Sequence, residues 1–287
     1  MAEQIGIVGA GRMGLAMLKH MARHGHQVTV CDISAKQLEL AKAAGAAIAS
    51  SPAELGRSCS FVIIGVGFDA EVEQVITGPD KAGNGGLLET MQPGGVIAIS
   101  STVAPATAQK MAKAAAAKQI DVYDAPIARG RWAADEGTLL ALVGGKAEVV
   151  ARAEPIYRCF CSDIQHLGDV GHGQVAKTMN NMMLWVTACG LIEAGRLAEK
   201  TGISLPKLRE ALQMSSGKSA ALEDWDGITF TWALKDMQIV MDMADQYGLS
   251  MPLSGAIKET VKEARRVKAA NPPQWTGKAP IPYEAKG

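Results

Sequence analysis

The first 165 residues alternate two hydrophobic rhythms. Short runs rich in apolar and β-branched residues at 4–8, 27–31, 61–66, 95–99, 121–124 and 139–144 predict strands. The run at 61–66 is apolar throughout and bounded by Ser60 and Gly67, as a strand covered on both faces requires. Between the runs the period lengthens. Met13, Ala16, Met17 and Met21 fall on one face of a helix over 12–24, Ser34 is an N-cap for a helix to about residue 44, and 105–118 is helical. Alternating β and α predicts a parallel sheet with helices on both faces. The rhythm then changes. A long helical pattern over 174–200 closes at Gly202, further helices follow at 205–214, 231–247 and 251–270, and no strand is expected after 164–167. The expected organisation is an α/β domain over 1–165 and an all-helical domain over 166–287, joined by the helix that begins near Gln174. Residues 271–287, rich in Pro, Lys and Gly, read as a loose tail.

Composition narrows the function classes. The 287 residues carry 29 Lys plus Arg against 29 Asp plus Glu, and 48% are hydrophobic. That apolar content builds a core, and zero net charge gives no bulk attraction to nucleic acid or an anionic membrane. No apolar stretch is long enough to span a bilayer, and no signal peptide is evident, so a cytoplasmic protein is expected. The five cysteines are irregularly spaced without a Cys-x-x-Cys pair, and are expected to be reduced thiols. His20 and His24 lie four apart with His26 nearby. They lack a third ligand of evident geometry and read as exposed helix residues, so no metal is expected.

Gly9-Ala10-Gly11-Arg12-Met13-Gly14 matches G-x-G-x-x-G, and it follows a predicted strand and opens a predicted helix, the context a dinucleotide site requires. Gly9 makes the tight turn, Gly11 lets the backbone approach the pyrophosphate, and Gly14 lets helix pack on strand. Asp32 ends the second strand, where a carboxylate either accepts hydrogen bonds from the adenosine ribose hydroxyls or caps the next helix. With Ile33 and Ser34 following and no arginine to receive a 2′-phosphate, the expected cofactor is NAD. Further on, Lys177 stands three residues before Asn180 and four before Asn181. On a helix these share one face.

These blocks resemble the β-hydroxyacid dehydrogenases, typified by 3-hydroxyisobutyrate dehydrogenase. The resemblance spans nearly the whole chain, in order: the glycine fingerprint with Met13; Ser101-Thr102-Val103-Ala104-Pro105; Asp124-Ala125-Pro126-Ile127 with Gly137-Thr138-Leu139 and Val143-Gly144-Gly145; Gly171-x-Gly173 leading to Lys177 and Asn181; and Lys235-Asp236-Met237. It implies a Rossmann-type, doubly wound parallel sheet followed by an all-α domain. It also implies hydride transfer between nicotinamide and a small anionic β-hydroxy acid or its aldehyde. In that mechanism Lys177 is the general acid/base, its pKa depressed from the ordinary ~10.4. Asn181 orients it; Ser101, Thr102, Gly130, Asn180 and Lys235 contact substrate. Val66, Thr102 and Lys235 join Gly9, Ala10, Gly11, Arg12, Met13, Gly14 and Asp32 around the cofactor. Members commonly form homodimers or homotetramers.

The chain departs from the family at one loop. Where members read Ser-Gly-Gly after D-A-P-V, this sequence has Ala128-Arg129-Gly130, with Arg131 and Trp132 next. An arginine there is reminiscent of the sulfolactaldehyde reductase branch. It raises the expectation that Arg129 binds the acid group of the substrate, a carboxylate or a sulfonate. Ile99 also replaces the family's usual aspartate before Ser101. Imine reductases and non-catalytic cofactor-binding relatives lack the lysine present here.

Overall fold

The computed structural model describes residues 3–79 and 85–278, and its contacts divide the chain into two units, Met1–Lys177 and Thr178–Gly287. In unit 1 the elements run β1 (Ile5–Val8), α1 (Arg12–Arg23), β2 (Val28–Cys31), α2 (Ala35–Ala43), β3 (Ala47–Ile48), α3 (Pro52–Ser58), β4 (Phe61–Ile64), α4 (Asp69–Thr77), α5 (Leu87–Thr90), β5 (Val96–Ile99), α6 (Pro105–Ala116), β6 (Asp121–Asp124), β7 (Ile127–Ala128), α7 (Gly130–Glu136), β8 (Leu139–Val143), α8 (Ala147–Tyr157) and β9 (Cys161–His166). Helix α9 (His172–Lys200) begins in this unit and crosses the division.

Six strands form one parallel sheet in the order β3-β2-β1-β4-β5-β6. The period-2 alternation of a strand explains its two cores. Ile5, Ile7, Phe61, Ile63, Val96 and Ala98 point into one, and Val8, Val62, Ile64, Ile97 and Ile99 into the other. Strand order reverses at β1, so the carboxyl ends of β1 and β4 flank the crevice where open α/β sheets bind ligands.

A second sheet, β7-β8-β9, was not expected. β8 is antiparallel to β7 and parallel to β9, whereas the sequence reading placed 139–144 in the parallel sheet. The reversal follows from Arg129 and Gly130, both at positive φ (84° and 75°), which turn the chain into α7 after β7. Helix α7 also corrects the histidine reading. His20 is buried on α1, and its Nε2 donates to the carbonyls of Ala134 (3.0 Å) and Asp135 (3.2 Å) on α7.

By its contacts the first turn of α9 groups with unit 1, which runs to Lys177. The cause is the anchoring by Asp124 and Gln174 described below. Unit 2 holds the rest of α9, then α10 (Leu205–Gln213), α11 (Ala220–Glu223), a 3₁₀ turn (Trp225–Gly227), α12 (Ala233–Gln246) and α13 (Pro252–Ala270). Its core gathers Trp185, Ile192, Trp225, Phe230, Met237, Val261 and Trp275. The expected loose tail is packed as far as residue 278. Trp275 is fully buried with its indole N–H on the Leu191 carbonyl (3.1 Å), and the Trp225 indole donates to Pro273 (3.0 Å). The tail's last part, 279–287, lies outside the described residues. All five cysteines are buried, and none is in a disulfide. Among the described residues no helix is long and apolar enough to cross a membrane, and no cluster suits a metal ion.

Candidate active site

The fingerprint turn leaves β1 at the switch point. Gly9 has φ +96°, and a Cβ there would lie 2.5 Å from the Gly65 carbonyl at the end of β4. A Cβ on Gly14 would collide with the Gly9 carbonyl oxygen. The chain's own packing therefore accounts for both glycines. Gly11 is different: it is the N-cap of α1, makes no side-chain cap, and a Cβ on it would meet nothing within 4 Å. Its smallness serves something outside the chain, and a pyrophosphate at a helix N-terminus fits that space. The residues present thus suit a dinucleotide.

Asp32 braces this turn. One carboxylate oxygen accepts the Ala10 N–H (2.6 Å), the other the Ser34 N–H (2.7 Å). Ser34 Oγ itself caps α2 by accepting from Gln37. Each carboxylate oxygen keeps a second lone pair for a ribose hydroxyl. Met13 packs against the core, and Arg12 pairs with Asp135 on α7 (2.7 Å).

Across the switch point, the Val66 N–H donates to Ser101 Oγ (2.9 Å), and that hydroxyl donates to the Ile64 carbonyl (3.3 Å). Ser101 is buried, so its side chain ties the end of β4 to the segment after β5. Thr102, beside it, is half-buried.

Asp124 ends β6, fully buried. Its two carboxylate oxygens accept the N–H groups of Gly171 (2.6 Å) and Gln174 (2.7 Å) at the start of α9. Burial pushes its carboxyl up to about 6, against the opposing pull of those two N–H groups and of His172. Gln174 is also fully buried. Its amide oxygen accepts from Val103 N–H (3.0 Å) and its amide nitrogen donates to the Ser101 carbonyl (2.8 Å). Lys177, half-buried, follows Gln174 by three residues on α9.

In unit 2, Asn181 is buried and accepts from the exposed Asn180 side chain (3.1 Å). Lys235 is half-buried on α12 with its ammonium 5.5 Å from the Trp232 ring centroid. Trp232 is exposed rather than part of the core, unlike Trp225. Asp236 is buried and accepts the Trp185 indole N–H (2.9 Å).

The arginine loop is anchored by a side chain of its own. Arg129 Nη1 donates to the Thr138 carbonyl (3.1 Å), Ser162 Oγ (2.8 Å) and the Asp163 carboxylate (2.6 Å). Through that one nitrogen the guanidinium is tied to β9 and the turn before β8. Gly130, Arg131 and Trp132 are exposed.

Residues 4–168 match the family model described as the NAD binding domain of 6-phosphogluconate dehydrogenase. Residues 171–272 match that described as NAD-binding of NADP-dependent 3-hydroxyisobutyrate dehydrogenase. A 3-hydroxyisobutyrate dehydrogenase of Pseudomonas aeruginosa is 37% identical over 227 residues, 78% of this chain and 74% of that protein. The chain belongs to the β-hydroxyacid dehydrogenase family. A probable mitochondrial 3-hydroxyisobutyrate dehydrogenase of Dictyostelium discoideum is 33% identical over 217 residues, 76% of this chain and 66% of that protein. The solved structure of Mycobacterium tuberculosis 3-hydroxyisobutyrate dehydrogenase with L-serine aligns with a TM-score of 0.80 at 26% identity, covering 95% of this chain and 96% of that one. As a β-hydroxyacid dehydrogenase the chain is an oxidoreductase with an NAD(P)-binding unit.

Sequence reasoning quoted Asp124 and Gln174 within family blocks but gave neither a role. Their partners are backbone groups distant in sequence, invisible to spacing. The available signal was a pair of glycines. A Cβ on Gly144 would lie 2.7 Å from Asp124 Oδ1, and one on Gly173 2.7 Å from Asp124 Oδ2. Both blocks are kept bare around one carboxylate.

Proposed function

We propose that this β-hydroxyacid dehydrogenase uses NAD to interconvert a small carboxylate-bearing β-hydroxy acid and its aldehyde, with Lys177 as general acid/base. The observation that carries the reading is the Gln174 bridge to Ser101 and Val103, which fastens the turn of α9 bearing Lys177 to the segment just beyond β5. That segment is bonded to the switch point through Val66. A bound nicotinamide supplies the hydride acceptor. Lys177, as the neutral amine, takes the hydroxyl proton as the carbinol carbon gives up its hydride. As the ammonium it returns that proton in the reducing direction. Asn181, one turn along α9, orients amine and substrate, and Asn180, bonded to it, assists. Thr102 and the Gly130 backbone complete the substrate contacts of unit 1.

NAD rather than NADP is supported by Asp32. Its fixed carboxylate would repel a 2′-phosphate, and the next residue is the fully exposed Ile33 rather than a cation. The sulfonate alternative drew on Arg129, and the ion pair with Asp163 gives it no support. A cytoplasmic homodimer or homotetramer fits five buried thiols and the exposed Met183, Gly190 and Leu197 along α9 in unit 2. Light scattering measures the assembly directly.

The deciding experiment is an NAD⁺-coupled assay with 3-hydroxyisobutyrate, L-serine and 2,3-dihydroxypropane-1-sulfonate, run on wild type and Lys177→Ala. The variant is expected to keep NAD⁺ binding and lose turnover. Full turnover without the amine removes the acid/base assignment.

A further inference from the structure

A helix that carries a catalytic amine must be held in two respects: along its axis and about it. At the start of α9 the two are held by different residues. Asp124 accepts the N–H groups of Gly171 and Gln174, donors that have no partner inside the helix. An anionic acceptor there is also favoured by the helix dipole. This fixes the axial position of the first turn. The Gln174 side chain, reaching sideways to Val103 N–H and the Ser101 carbonyl, resists rotation. Neither residue is exposed, so water does not replace these bonds.

We propose that Asp124 and Gln174 are positioning residues for Lys177, together setting the axial and rotational register of α9 from which its amine is presented. The inference rests on the reading of Lys177 as the acid/base. Side chains reach about 6 Å from a helix axis, so a rotation of about 10° carries a side-chain end ~1 Å. A displacement of that size at a reacting group costs on the order of 100-fold in rate. A bond far from the chemistry in function, yet one helical turn from it in space, therefore acts on kcat.

The test is Gln174→Met, which keeps the length of the side chain and removes both hydrogen bonds. NAD⁺ and 3-hydroxyisobutyrate are the probes. The expected result is a fall in kcat of about 100-fold, with KM and NAD⁺ affinity unchanged within error. Faster amide exchange over residues 171–177 should accompany it. Gln174→Glu sets a carboxylate oxygen against the Ser101 carbonyl in a buried site beside Asp124, so its loss should be at least as large. Asp124→Asn should follow Gln174→Met, and serves if the latter does not fold.

A structural role alone would lower the rate whatever the base. The Lys177→Ala background separates the two, with turnover restored by added ethylamine. There Gln174→Met should have no further effect, because the base no longer rides on α9. Wild-type kcat in folded Gln174→Met and Asp124→Asn overturns the proposal, as does an equal loss in the amine-rescued background. Wild-type turnover in Lys177→Ala is a different result, removing the acid/base reading and this proposal with it.

Discussion

Arg129 occupies a backbone region that glycine adopts freely and other residues avoid, at φ 84° and ψ 3°. The family carries glycine at this position. A side chain in the left-handed region costs about 1 kcal/mol or somewhat more. The guanidinium offsets the cost locally, through Thr138, Ser162 and Asp163. It also holds the Asp163 carboxyl below its usual range, chiefly by the hydrogen bond between them. The two contributions separate by substitution. Arg129→Ala keeps the strain and loses the anchor; Arg129→Gly loses both. Denaturant titration should therefore find the glycine variant more stable than the alanine variant by about 1 kcal/mol. The opposite order would show that the loop is not strained. In both variants kcat/KM for 3-hydroxyisobutyrate should stay near wild type, since the side chain serves the fold. A loss confined to anionic substrates would reinstate it as an anion ligand.

Elements differed in how well the sequence announced them. The longer strands of the parallel sheet were legible because burial on both faces demands apolar runs, and β1, β4 and β5 are buried at every position, whereas the two-residue edge strand β3 was not legible. The four-residue α11 was too short to show a period, whereas helices α9, α10, α12 and α13 were legible from helical spacing. The second sheet was not, because Leu139–Val143 carries the same apolar signature whichever sheet it joins. Helix α7 was hidden by its length of seven residues and its left-handed entry. In the site, the fingerprint glycines were legible because steric need writes itself as residue type. Asp124 and Gln174 were not, because their partners are backbone groups that any sequence supplies. The packed C-terminal segment was missed for a compositional reason: Pro, Lys and Gly obscured one informative residue, Trp275. Its indole is fully buried in the core of unit 2 and bonded to α9 through the Leu191 carbonyl. Trp275→Ala should cost about 3–5 kcal/mol by leaving a cavity there. Urea unfolding followed by fluorescence of the remaining tryptophans measures it. A loss below 1 kcal/mol would return residues 271–278 to the status of a loose tail.

At the scale of the whole molecule, the balance of charge is in part a matter of specific pairs. Arg12 meets Asp135, Arg129 meets Asp163 and Arg152 meets Glu3, pairings that a sequence count does not show. Asp32 is the acidic side chain that braces the fingerprint turn, and so the residue on which cofactor choice is to be tested. A ligand that binds only the folded chain stabilises it by RT ln(1 + [L]/Kd), about 2.7 kcal/mol at one hundred times Kd. For a chain of this size that corresponds to a rise in Tm of several degrees, at roughly 2–4 °C per kcal/mol. NAD⁺ should produce such a rise and NADP⁺ at the same concentration a much smaller one, because its 2′-phosphate would sit against the Asp32 carboxylate. Asp32→Asn keeps an acceptor oxygen for the turn while removing the charge. It should narrow the difference between the two cofactors more than it lowers the Tm of the free protein. Equal shifts from NAD⁺ and NADP⁺ in the wild type would mean that Asp32 braces the fingerprint turn and does nothing to select the cofactor.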